Sequence, residues 1–152
     1  MSFKECRAVP KKVPEKRRKR KAPSSKTRGS ISKTEYNRMI EVFGCRCMMC
    51  GDPRIEAHHV RFRSQGGRGK WRNLAPLCHC CHQAVHQNRA LAERLMAVRE
   101  DMFGKWYWAD EYDLYENGLI KEPLKENFED FMRREENEEV VRHCTGKEIG
   151  GW

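Results

Sequence analysis

Two Cys-x-x-Cys pairs, Cys47-Met48-Met49-Cys50 and Cys78-His79-Cys80-Cys81, restrict what this chain can fold into more than any other feature. One turn with this spacing offers two sulfur ligands to one ion, and two such turns close a four-thiolate structural zinc site. Either pair alone is a weak signal; together, flanking one compact segment, they are a strong one. Metal also supplies folding free energy, which a 152-residue chain with only 38% hydrophobic residues needs. Cys6, Cys45, Cys80 and Cys144 fall outside the pairs and are expected as free thiols. Eight cysteines would suit a secreted disulfide scaffold, but the N-terminus has no apolar run of the signal-peptide kind. A reducing compartment is expected instead: the cytoplasm of a bacterial cell, or the nucleus of a eukaryotic one. No segment offers the roughly 20 apolar residues of a membrane span, so no membrane partner is expected.

Charge divides the chain unevenly. Residues 1–30 hold 12 Lys/Arg against Glu5 and Glu15, whereas residues 100–152 hold 15 Asp/Glu against 7 Lys/Arg. A basic front and an acidic back point to a polyanion meeting the first two thirds of the chain. Residues 1–30, with Pro10, Pro14, Pro23 and the run Lys16–Lys21, have little to bury and read as a disordered basic arm, whose lopsided charge favours phosphate binding by counterion release over a localisation signal or a solubilising tail. Residues 31–103 read as the central domain, and 104–152 as an acidic, aromatic-rich helical extension.

Within the central part, Ser32 and Glu35 form a candidate capping box ahead of the helical stripe Tyr36, Met39, Ile40, Phe43, which Gly44 ends. Ile55–Val60 reads as a strand, 61–72 as a basic glycine-containing loop and Leu74–Leu77 as a second strand. A helix is expected from about Cys81, carrying His82 and His86, with more helix up to about Phe103. Further on, Asn117-Gly118 marks a turn and a helix follows Pro123, with Phe128, Phe131 and Met132 on one face. The extension serves either as a helical cap, which its many aromatics favour, or as a docking module.

The histidines ask for a second metal. A single two-Cys, two-His finger is excluded, since 31 residues separate Cys50 from His82 where about 12 to 15 are usual, and Cys78 and Cys81 would be orphaned. Successive helix residues turn by about 100°, so Cys81 and His82 face different ways while His82 and His86 share a face. The doublet His58-His59 lies on a strand, where neighbours point to opposite sides. One of the two joins His82 and His86 on an ion, and the other is left to act.

Ala57-His58-His59-Val60, the Gly66-Gly67 loop, Asn73-Leu74 and Leu77 to His86 together resemble the HNH endonuclease family. The resemblance covers about residues 45–88 and implies an α+β chain with a small ββα-metal core, stapled by the four-cysteine zinc and flanked by helices. It implies His59 as general base, His58, His82 and His86 as ligands of the catalytic ion, and Asn73 as the residue that braces the loop and orients His59. The family's products are a 5′-phosphate and a 3′-hydroxyl, and the zinc-bearing members it resembles point to a phage or prophage protein acting on DNA.

The chemistry stands on its own terms as well. Phosphodiester hydrolysis needs an activated water, and a neutral imidazole with a pKa near ~6.5 suits that task. A divalent ion on three imidazoles supplies Lewis acidity; zinc or nickel suits the ligands, magnesium or manganese suits nuclease turnover. Arg61, Arg63, Arg68, Lys70 and Arg72 are candidate backbone clamps, two or three of which are expected to touch phosphate. With no recognition helix or finger in view, low sequence selectivity or selectivity for DNA structure is expected. The rival readings are a non-catalytic zinc ribbon that binds nucleic acid, and a nuclease subunit of a phage recombination or packaging complex.

Overall fold

The computed structural model describes residues 21–145. Most of the basic arm, including Cys6, lies outside the described residues, as do 146–152. The fold is a small α+β arrangement: a two-stranded antiparallel sheet surrounded by helices. In chain order its elements are α1 (Ser25–Arg28), α2 (Lys33–Phe43), β1 (Glu56–His59), β2 (Leu74–Leu77), α3 (His79–Gln87), α4 (Arg89–Phe103), α5 (Glu111–Glu116), α6 (Lys125–Glu135) and α7 (Glu138–Thr145). The strands pair Glu56 with Leu77, His58 with Ala75 and His59 with Leu74.

Local chemistry explains the boundaries. Ser32 Oγ accepts from the Glu35 N–H at 3.2 Å, and Gly44 ends α2 at φ +85°. The reciprocal half of the expected capping box does not form. The Glu35 carboxylate instead accepts from Trp71 N–H at 2.9 Å, tying the long loop to α2. Cys78 Sγ caps α3, accepting from the Cys81 N–H at 3.5 Å, so this helix starts at His79 rather than at Cys81. Asn88 Oδ1 accepts from Leu91 N–H and separates α3 from α4. β2 is buried along its whole length. From α4, the fully buried Arg99 donates to the Leu74 carbonyl at 2.9 Å and lies 3.7 Å from the Phe43 ring centroid, stapling the sheet between two helices.

The C-terminal extension shares this core. Leu114, Ile120, Phe128 and Met132 belong to the same buried cluster as Val60, Leu77 and Val85, so the extension packs as a helical cap. α6 follows Pro123 as expected, with Phe128 and Met132 buried. α5 was not expected from the sequence. It rests on a full capping box, in which Asp110 accepts from the Asp113 N–H and Asp113 accepts from the Asp110 N–H.

The end of the basic arm departs from the expected disorder. Ser24 Oγ accepts from Thr27 N–H to start the single turn α1, and Arg28 reaches across to the cap of α5. Its Nε donates to Asp110 Oδ2 at 2.7 Å and its Nη2 to Asp110 Oδ1 at 2.5 Å, with Asp113 Oδ1 2.8 Å away. Arg68 pairs with Asp113 from the other side, at 2.8 Å through both Nε and Nη2. The local composition looks like charge seeking water, but Asp110, the carboxylate that Arg28 grips, lies 82 residues away. Burial pushes the Asp113 carboxyl up, yet Arg68, the Asp110 N–H and Arg28 outweigh it and hold it below the usual range. A depressed folded pKa stabilises at neutral pH, and the effect is lost as pH falls through that pKa. Asp113→Asn should therefore cost about 3 kcal/mol in melts at pH 7, a buried pair broken on one side, with the gap to the parent closing in strong acid.

Candidate active site

The thiolates and the imidazoles form two adjacent clusters. The Sγ atoms of Cys47, Cys50, Cys78 and Cys81 all lie within 4.8 Å of one another. Tetrahedral zinc with Zn–S near ~2.3 Å fits a set of that size. Gly51, at φ +79°, lets the first knuckle close, with Gly51 N–H donating to the Cys47 carbonyl, while Met48 N–H donates to the Pro76 carbonyl and seats the knuckle on β2. Burial pushes the Cys47 thiol up, but N–H groups of Cys78, Met49 and Cys50 aimed at the sulfur bring it down to about 7.

In the second cluster, one ring nitrogen each from His58, His82 and His86 lie within 4.8 Å of one another. The donor set fits a metal by two independent signs. His58 is 1% exposed and, among the described residues, neither of its ring nitrogens has a hydrogen-bond partner, an arrangement that is costly unless an ion takes a lone pair. Burial, then His82 and His86, push its pKa down to about 3, so the ring is neutral as a ligand must be. His86 is stacked on Phe62, centroids 4.8 Å apart, and His58 meets the same ring edge-on.

His59 points to the other side of β1. Its Nε2 lies 2.9 Å from the Gly29 carbonyl oxygen, which can only accept, so Nε2 carries the proton and Nδ1 holds the free lone pair. Burial lowers the His59 pKa and the Gly29 carbonyl partly restores it. Asn73 is fully buried beneath the loop. Its Oδ1 accepts from Arg61 N–H at 2.8 Å, and its Nδ2 donates to the carbonyls of Arg61 and Arg68 at 3.2 and 2.9 Å. Gly67 and Gly69 permit the tight weave of this loop: a Cβ on Gly67 would fall 1.8 Å from Arg61 O, and one on Gly69 2.0 Å from Ser30 O.

Residues 47–88 match the family model described as HNH endonuclease. This segment is an HNH endonuclease domain. Its presence supports a nuclease-type function and a nucleic-acid substrate. No curated protein matches the chain. Among the described residues, no helix is long and apolar enough to cross a membrane.

Of the five candidate cations, two or three of which are expected to touch phosphate, three turn toward carboxylates of the chain itself. Arg68 and Arg72 are buried, 9% and 4% exposed, and face inward. Arg68 is committed to Asp113, and Arg72 donates to Glu136 at 2.6 Å and Glu129 at 3.0 Å. Lys70 is 2.9 Å from Glu111. All three are thus paired with carboxylates of the acidic extension. Arg61 and Arg63 have no carboxylate within ion-pair reach among the described residues, and both flank the site.

Sequence reading missed two supports of the HNH domain. Glu56 accepts from His82 Nδ1 at 2.8 Å and from His79 Nδ1 at 3.1 Å. That leaves His82 Nε2 as the lone-pair nitrogen. Its signal was present, since Glu56 and His58 lie two apart on a strand and so share a face. The second support is Gly29, held in place by Arg28, and no local pattern announces it. Glu56→Ala should weaken divalent-ion affinity roughly 10- to 100-fold with little change in melting, as expected for a carboxylate behind a ligating histidine. Competition with a chromophoric chelator measures it, and unchanged affinity would remove Glu56 from the site.

Proposed function

We propose that this protein is a metal-dependent DNA endonuclease that hydrolyses a phosphodiester to a 5′-phosphate and a 3′-hydroxyl, with His59 as general base. The observation that carries the reading is the division of the histidine doublet. His58 turns inward to join His82 and His86, while His59 turns outward with its tautomer set by Gly29.

Each protein group has a defined task. His59 Nδ1 takes the proton from the attacking water, while Nε2–H stays on the Gly29 carbonyl and keeps the ring from turning. Asn73 holds the loop that follows the doublet, so that Arg61 and Arg63 stand where a phosphate would approach. Glu56 fixes the tautomer of His82. A divalent ion held by His58, His82 and His86 supplies, when bound, Lewis acidity toward a phosphate oxygen and the departing oxygen. The thiolate site holds zinc and is structural.

The reading is tested by incubating supercoiled plasmid with the purified protein across magnesium, manganese, zinc and nickel, with chelator as control, followed by end-labelling of the products. Nicking or linearisation that needs an added ion and leaves 5′-phosphates is expected. DNA binding without turnover under every ion would instead favour the zinc-ribbon reading, in which both metals are structural.

A further inference from the structure

The turn between α4 and α5 places two tryptophans beside the loop that carries Arg61. Trp106 and Trp108 have ring centroids 5.6 Å apart with planes inclined by 36°. Tyr107 between them is buried at 4% exposure, whereas both tryptophans stay partly exposed. The turn is pinned: Tyr107 N–H donates to Gly104 O, Ala109 N–H to Trp106 O, and Arg68 N–H to Trp108 O at 3.0 Å. Arg61 sits over this platform, its guanidinium carbon 3.9 Å from the Trp108 centroid and its Nε donating to Gln65 O at 3.0 Å. Trp106, Trp108, Arg61, Gln65 and Lys105 line a groove of about 470 Å³, with Glu100 the one carboxylate in its wall among the described residues. That volume is in the range of small-ligand clefts.

This fits a ligand with a flat π-face attached to a phosphate. Half-exposed tryptophans are costly in water and stack readily on bases, and an arginine already lying on an indole presents a second stacking plane. The basic side chains complement a phosphate, and Arg61 is two residues from His59. Bases inside a duplex have their faces covered by neighbours, so the groove suits a base that is unpaired. We propose that it stacks an unpaired base of the DNA strand next to the phosphate being cut, directing the enzyme to single-stranded or branched DNA. The inference rests on the nuclease reading above and gives it a substrate class.

The test uses the full chain with two DNAs, an oligo-dT strand and a duplex of equal length, without added catalytic ion. Tryptophan emission should be quenched by the strand and much less by the duplex, a readout that needs no variant. Equal quenching by both, or none, overturns the proposal. Trp108→Leu keeps apolar packing and removes the π-face. With zinc content and melting retained, it should weaken strand binding on the order of tenfold or more and leave duplex binding within about twofold. Trp108→Phe should recover most of the loss. Equal weakening on both DNAs, or no weakening on the strand, also overturns it. Failure to bind or cut either DNA would defeat the nuclease reading itself, whereas ion-dependent cutting with no strand preference defeats the stacking site alone.

Discussion

Serine in place of Cys47 or Cys81 is expected to abolish cooperative unfolding. Structural zinc contributes on the order of 10 kcal/mol in small domains, and the whole stability of a domain is about 5–15 kcal/mol, so losing one thiolate consumes most or all of it. The position of the thiolates makes the effect global. Cys47 and Cys78 are buried at 3% and 5% exposure within the main core cluster, and the first knuckle is bonded to β2 through Met48. Thermal melts beside zinc stoichiometry measure this. A variant that kept its zinc and melted like the parent would show that the four sulfurs do not share an ion.

Alanine at His59 should do the opposite: leave the protein standing and stop the reaction. A positioned base contributes roughly 10²- to 10⁴-fold to rate and little to ground-state affinity. Among the described residues the ring makes one hydrogen bond, to Gly29, and it is not part of the His58, His82, His86 cluster. Cleavage should therefore fall by at least about a hundredfold, with DNA affinity, zinc content and melting close to the parent. Single-turnover cleavage at saturating DNA is the measurement, and a near-parental rate would remove His59 from the mechanism. His58→Ala should differ in kind by losing the divalent ion, which separates the two members of the doublet.

What was legible in the sequence was what depends on short spacing. The knuckles, the i,i+4 pair His82/His86 and the opposed faces of His58 and His59 are consequences of turn, helix and strand geometry, and the structure assembles the sulfurs and imidazoles accordingly. Asn73 was legible only through the family resemblance, since a lone asparagine before a strand has no pattern of its own. Which of the basic loop's five cations stay free of internal carboxylates was not legible, for a definite reason. Arg68 and Arg72 look from their neighbours like phosphate contacts, but Asp113, Glu129 and Glu136 stand 45, 57 and 64 residues downstream. Spacing cannot reveal such pairs. The charge totals pointed to an acidic segment without saying that its first partner is the chain itself.

The contact between Gly29 and His59 bears on when, during synthesis, the proposed base is set. The carbonyl that sets the base is seated by Arg28, whose carboxylate partners, Asp110 and Asp113, come after every histidine and cysteine of the two metal clusters. A nascent chain that has emerged only as far as His86 holds all the metal ligands and the base, but lacks the pair that seats the strap. Such a chain also lacks Leu114, Phe128 and Met132, which belong to the same buried cluster as Val60, Leu77 and Val85. On the proposed nuclease reading, the order of synthesis completes the seat of His59 only after all the metal ligands have been made.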